Sequence, residues 1–287
     1  MLNTSHKYRC QIVALLVVLF AIAGCHSGRV SDSLLCPFQG VEFVLELEPE
    51  EESRPATPEE TDKVIEILKK RANNLEFKRA AIQAIGQGRI TVQLSGARDL
   101  EKAQRLLASK GNLEFRQQRS GSEEELSPLQ MRKQNLLDLR ERIFSLSLTE
   151  VDAEIKKVNE AIASFYDPTG LTGTYIKDAL PESSGGSNWQ IAIQFDETGA
   201  ELFAEITKSM AGTGRKIGIF LNGELVSAPI VPAEFAKTGI TGGAAVISGQ
   251  FTFEEVDELA VQLRSGALPV SLEFLELRQV NRNDCSP

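Results

Sequence analysis

Apolar positions recur along the chain at two periods, one of two residues and one of about 3.6 residues, and the switches between them mark elements. Residues 41–47 alternate, with Val41, Phe43, Leu45 and Leu47 on one face and Glu42 and Glu46 on the other, which predicts a half-buried strand. Thr57-Pro58-Glu59-Glu60 is a capping box with proline at the first helical position. The helix it starts is predicted to run to about Leu75, burying Val64, Ile65, Leu68, Ala72 and Leu75. Residues 80–84 and 89–94 predict two strands around the turn Gly86-Gln87-Gly88. A short helix over 99–108 and a strand at 113–116 follow, giving the order βαββαβ of a ferredoxin-like split βαβ unit.

The pattern then changes. Leu136, Leu139, Ile143 and Leu146, then Val151, Ile155, Val158, Ile162 and Phe165, repeat at threes and fours, with Thr149 placed to cap the second run. This predicts an antiparallel helical hairpin with a coiled-coil-like seam over 123–165. Residues 167–188 are turn-rich. A strand is expected at 189–195, then a helix capped by Asp196 that buries Leu202, Phe203, Ile206 and Met210. Strands at 216–221 and 225–230 flank Asn222-Gly223, the strongest short hairpin signal. The glycine-rich stretch 238–249 leads to a helix with clean ends. Thr252 and Glu255 form a capping box, and Phe251 and Val256 are placed as a hydrophobic staple. Val256, Leu259, Ala260 and Leu263 share a face. Arg264 complements the C-terminal dipole, Gly266 supplies the cap and Pro269 stops the helix. A long strand at 270–280 ends the folded part.

The expected class is α+β: a ferredoxin-like base with an inserted α+β head that includes the helical hairpin. The base takes 38–118 plus 250–280 and the head 119–249, divided into hairpin 123–165 and α+β part 171–249. Residues 281–287 form a tail. The terminal strands then become neighbours in the base.

The N-terminus changes the picture of where such a fold works. Lys7 and Arg9 precede an apolar run at 11–24 that ends in Ile22-Ala23-Gly24-Cys25, the form of a bacterial lipobox. The expectation is a signal peptide over 1–24, lipidation of Cys25 and a polar tether over 25–37, so that the body is exported and held at a membrane. An uncleaved anchor helix is the alternative. Cys10 leaves with the signal, and Cys36 and Cys285 remain near the two ends. In an oxidising compartment they are a candidate disulfide; two unpaired terminal thiols are the alternative.

Composition narrows the chemistry. The chain has 287 residues, 42% of them hydrophobic and 25% charged, with a net charge of −9, and lacks the basic footprint of a nucleic-acid binder. Its two histidines, His6 and His26, lie in the signal and beside Cys25, so the body has none for a Ser-His-Asp or Cys-His system or for histidine metal ligation. The glycines at 239–249 match no nucleotide-binding spacing and read as tight turns and close packing. Scattered carboxylates single out no hydrolase pair. No enzyme activity, metal or cofactor is therefore expected. Edge strands are the other resource, because they accept extended peptides by main-chain pairing. Residues 192–195 and 227–231 are the candidates.

The closing stretch carries a resemblance. Ile247-Ser248-Gly249-Gln250-Phe251-Thr252-Phe253-Glu254-Glu255-Val256, Leu259-Ala260 and Leu263-Arg264-Ser265-Gly266-Ala267-Leu268-Pro269 are similar to the closing signature of the first periplasmic domain of the SecD family. The stretches 221–229, 65–74, 89–96 and 113–116 also fit it, and the helical hairpin is similar to an insertion in cyanobacterial-type members. The resemblance implies a base with an inserted head that projects from the membrane and holds emerging preprotein. Two departures stand out: the family's D-L-x-G-G entry reads Cys36-Pro37-Phe38-Gln39-Gly40, and the sequence reaches Pro287 without the family's transmembrane, proton-conducting part. The expectation is therefore a membrane-tethered, periplasm-facing accessory to Sec protein translocation. Its expected partners are unfolded or emerging exported polypeptide, Sec translocase components and the membrane through a lipid anchor, with no nucleic acid. Gly242, Gly243 and Gly249 are hinge candidates between head and base. The alternative is a repurposed envelope scaffold lipoprotein with folded partners and no motor activity.

Overall fold

The structure, a computed structural model, describes residues 40–49, 54–74, 77, 79–96, 99–142, 148–186 and 188–280. Three sheets organise the unit spanning 40–279, and the class is α+β. The first sheet has the order β11-β1-β3-β2, from β1 (Gly40–Glu48), β2 (Arg79–Gly86), β3 (Arg89–Ser95) and β11 (Ser271–Val280). In order of entry the strands lie fourth, first, third, second, so the two terminal strands are neighbours. The β1–β3 register pairs Phe43 with Val92 and Leu45 with Ile90, and the β2–β3 register pairs Ile82 with Val92. These residues form a fully buried face that packs on Val64, Ile67, Leu68 and Ala72 of α1 (Pro58–Asn73) and on Ala103 and Leu107 of α2 (Leu100–Ala108). Leu268, Val270 and Leu272 bring the end of the chain into the same core, and Phe274 meets Phe43 edge-on at 5.5 Å.

The second and third sheets belong to the inserted part. The second runs β10-β7-β6, from β6 (Ile176–Gly185), β7 (Asn188–Phe195) and β10 (Ala244–Phe251). The third runs β5-β4-β8-β9, from β4 (Leu113–Gln118), β5 (Tyr166–Thr172), β8 (Ile217–Leu221) and β9 (Glu224–Ser227). Their apolar faces meet in one core with α5 (Glu197–Met210), centred on Phe115, Phe195 and Phe203. The β8–β9 hairpin turns on Asn222 and Gly223, both at positive φ, as a two-residue turn of this hand requires.

Several expectations need correction. The strand at 113–116 is not a base strand: β4 pairs with β5 and β8 in the third sheet. Alternation fixes which residues of a strand are buried, but not which sheet receives them. The turn-rich segment 167–188 contains two strands, β5 and β6. Pro168 and Pro181 weaken their signal, yet both strands lie at sheet edges, where proline is tolerated. The return strand expected to reach residue 230 stops at Ser227, leaving a single bridge from Ile230 to Lys216. Residues 238–249 also contain most of β10.

The helical hairpin is α3 (Glu123–Arg142) with α4 (Leu148–Ala163). Val151, Ile155, Val158 and Ile162 are buried as their spacing predicts, but on α3 only Leu126 is buried, and Leu139 of the expected seam is exposed. The seam is therefore one-sided, joined by the ion pairs Arg132–Glu154 and Arg140–Asp152 at 2.7 and 2.9 Å. Thr149 lies inside the first turn of α4 rather than at its cap, and Ile143 and Leu146 lie outside the described residues.

The closing helix α6 (Phe253–Ser265) has both halves of its capping box, with Thr252 Oγ1 accepting from the Glu255 amide at 3.3 Å. Its apolar face does not enter the base core. Val256, Leu259, Ala260 and Leu263 are part of the inserted core, while Gln262 and Ser265 turn towards α1 and α2. There Arg71, on the last turn of α1, is 0% exposed. Its Nε donates to Ser265 Oγ at 3.2 Å, its Nη1 to the Leu106 carbonyl at 2.9 Å, and its Nη2 to the Gly266 carbonyl at 3.2 Å. These acceptors belong to the C-terminal ends of α2 and α6, which carry unsatisfied carbonyls and partial negative charge. Burial lowers the Arg71 pKa to about 10, so it remains charged at neutral pH.

Candidate functional site

A cavity of about 570 Å³ opens in the inserted part, within the size range of ligand clefts. The register builds one wall: Val246 of β10, Ala192 of β7 and Leu180 of β6 stand opposite one another across the second sheet. Side chains that alternate with the buried set face away from the core, so this row is accessible. Phe115, Ile217 and Ile219 from β4 and β8, and Phe203 from α5, contribute further apolar surface. The segment Pro229-Ile230-Val231-Pro232 forms another side. Two prolines restrict that segment to extended backbone, and it is held by hydrogen bonds from the Ile217 amide to the Pro229 carbonyl at 2.9 Å and from the Gly212 amide to the Val231 carbonyl at 3.1 Å.

Three large aliphatic side chains stand exposed around this groove: Leu180 at 54%, Ile230 at 54% and Val246 at 45%. Isolated exposed leucines are ordinary, but a clustered set beside an apolar cleft marks a binding surface. The polar groups lining it are Asp178, Glu182, Gln194 and Thr207. The Thr207 hydroxyl is engaged, donating to the Phe203 carbonyl at 2.7 Å and accepting from the Ile240 amide at 2.8 Å. Among the described residues, no group of three or more His, Cys, Asp or Glu converges as a metal site. The strongly perturbed ionisable groups lie elsewhere. Glu60 is lowered to about 2 by hydrogen bonds from Arg54 and the Thr57 amide, and burial raises Tyr166 to about 12. The groove is thus equipped to bind apolar side chains.

Residues 192–195 do not form an edge. They lie in β7, the middle strand, whose main chain is paired on both sides. Their contribution is through side chains, Ala192, Ile193 and Gln194 lining the groove. The second edge candidate, 227–231, does reach the groove, at Pro229 to Val231. Gly242 and Gly243 both have positive φ and precede β10; their carbonyls accept from Gln194 Nε2 at 3.1 Å and from the Phe195 amide at 2.8 Å. A Cβ on Gly243 would come within 2.7 Å of the Ala200 side chain. Gly249 sits at the bulge between Ser248 and Phe251 where β10 leaves its register. Cys25, Cys36 and Cys285 lie outside the described residues. The expectation of turns over 167–188 misses Asp178, Leu180 and Glu182, because the sequence 176–182 does not alternate polar with apolar residues and carries Pro181, so no periodic signal marks the strand.

A smaller cavity of about 310 Å³ separates α3 from β9, where Lys133 pairs with Glu224 at 2.6 Å and reaches the Leu225 carbonyl at 3.3 Å. Among the described residues no helix is long and apolar enough to cross a membrane.

Comparison with known proteins adds independent findings. Residues 61–120 match the family described as protein translocase subunit SecDF, P1 domain, N-terminal, and residues 151–270 match the SecDF P1 head subdomain. The chain is 39% identical to protein translocase subunit SecD of Synechocystis over 84% of this chain and 53% of that protein. It is 31% identical to the SecD subunit of Prochlorococcus marinus over 88% of this chain and 60% of that protein. It thus spans somewhat more than half the length of these relatives. A solved chain of SecDF, described as a membrane component that enhances protein export, aligns with a TM-score of 0.62 at 29% identity, over 83% of this chain and 100% of that one.

Proposed function

The chain belongs to the SecD family through its first periplasmic domain, and from that premise we propose that it is an accessory of Sec protein translocation that holds extended exported polypeptide in the head groove. The observation that carries this reading is the groove itself, with Leu180, Ile230 and Val246 presented to solvent around an apolar cleft. A chain in transit is unfolded and offers consecutive apolar side chains with no core to bury them. A cleft with several apolar contacts and few directional polar groups suits such a substrate, because it selects hydrophobicity rather than one sequence.

In this reading the body faces the periplasm, tethered through a lipid on Cys25, and works beside Sec translocase components. Of the three hinge candidates Gly249 sits at a break in strand register, whereas Gly242 and Gly243 are held to β7 by hydrogen bonds; the movement it would permit is of α6 against β10, within the inserted part. The base is ferredoxin-like in its strand order. The test is site-specific photo-crosslinking during export, with the probe at Leu180, Ile230 or Val246 and at the exposed Ile85 of β2 as control. Adducts with exported precursors from the three groove positions and not from Ile85 are expected. Equal labelling from Ile85, or adducts with folded partners alone, would overturn the reading.

A further inference from the structure

The groove has a sign as well as an apolar lining. Asp178 and Glu182 flank Leu180 two residues to either side on β6, positions that share one face of a strand, and all three are exposed. Both carboxylates line the cavity, and no Lys, Arg or His does. Asp178 Oδ1 accepts from the Ala179 amide at 2.8 Å and Glu182 Oε2 from the Gln190 side chain at 3.0 Å, so each has a second oxygen to offer. Among the described residues neither has an ion-pair partner. Lys177 precedes Asp178, and Lys216 pairs through its backbone with Ile230, but neither side chain lines the cavity.

Resting on the reading of the groove as a polypeptide site, we propose that its preferred occupant is an extended segment whose apolar residues are flanked by lysine or arginine. The long aliphatic stem of either residue lies along apolar surface while its charged head reaches a carboxylate, so one side chain satisfies both features of the rim. An acidic flank meets like charge and is disfavoured, which gives the groove direction in its choice of substrate. Two solvent-exposed ion pairs amount to roughly a two- to tenfold gain in affinity, reduced by salt.

The test uses the full chain and fluorescent peptides that share one apolar core and differ only in lysine, serine or glutamate flanks. The lysine-flanked peptide is expected to bind roughly two- to tenfold tighter than the serine-flanked one and the glutamate-flanked peptide more weakly than either, with the spread shrinking as salt rises. The double variant Asp178→Asn, Glu182→Gln, at exposed positions where folding is insensitive, is expected to bring all three affinities to the serine value. Leu180→Ser is expected to weaken all three together. Equal binding of the lysine- and glutamate-flanked peptides overturns the charge preference and leaves the polypeptide reading standing. A charge order that survives the double variant overturns the assignment to these two carboxylates. Failure of every peptide to bind overturns both.

Discussion

Among the described residues Arg71 has no ion-pair carboxylate; two helices end around it, and their terminal carbonyls supply the negative potential that water would otherwise provide. Arg71→Met would leave those carbonyls buried and unpaired, and is expected to lower the unfolding free energy by about 2–4 kcal/mol in urea titration. Arg71→Lys is expected to recover less than half of that loss, because an ammonium carries three donors on one nitrogen and cannot span the six acceptors around the guanidinium. Tyr166 presents the opposite case. Its ring packs edge-on to Phe220 at 5.2 Å, but among the described residues its buried hydroxyl has no hydrogen-bond partner, and burial raises its pKa from 10.0 to about 12. The neutral phenol is thus favoured in the folded state. Stability from this preference is intact below about pH 10 and is lost as pH rises towards 12. Tyr166→Phe is expected to leave stability at neutral pH unchanged or raise it by about 1 kcal/mol, and to flatten the alkaline fall, as read by denaturation at a series of pH values.

At the scale of elements, α6 is a two-sided connector. One face contributes Val256, Leu259 and Leu263 to the inserted core, and the other binds α1 and α2 through Ser265, Gln262 and the ion pairs Lys102–Asp257 and Arg105–Glu258 at 3.0 and 2.8 Å. Fraying of its first turn therefore loosens both sides. Thr252→Ala removes the cap and is expected to cost about 1 kcal/mol, while Thr252→Ser is expected to be nearly neutral, both measured by urea denaturation. The α3–α4 hairpin works differently. It adds Leu126, Val158 and Ile162 around Tyr166 and Phe220 as a satellite cluster, and α3 lies outside both matched family spans. Its outer surface is held by ion pairs rather than by a second apolar stripe, which suits an addition to a fold that already has its cores.

Across the described residues, the first strand and the last lie in the same sheet, with β11 beside β1. We propose a bridge between Cys36 and Cys285, which lie outside the described residues, before the first of these strands and after the last in sequence. Such a bridge would close most of the chain into one loop and contribute about 2–5 kcal/mol. Thiol labelling of freshly isolated protein before and after reduction is expected to reveal both cysteines only after reduction; two free thiols at the outset would refute the bridge. The inserted part, with the groove, is tied back to the base at α6 and Arg71.

The sequence by itself determined the elements whose energetics are local. The capping boxes at Thr57 and Thr252, the Asn222-Gly223 turn, the alternation of β1 and β7 and the stripe of α4 were all legible, because each depends on residues within a few positions of one another. The closing signature also pointed to the family. Tertiary structure alone decided the rest: that β4 joins β8 rather than the base, that the proline-bearing β5 and β6 are strands, and that α6 gives its apolar face to the inserted core. The groove was legible only in fragments, since Leu180, Ile230 and Val246 lie far apart in sequence and meet through strand register. Strand pairing and the buried Arg71 contact are long-range choices made by whichever surfaces remain to be covered, and a linear pattern states that a face is apolar without stating what will cover it.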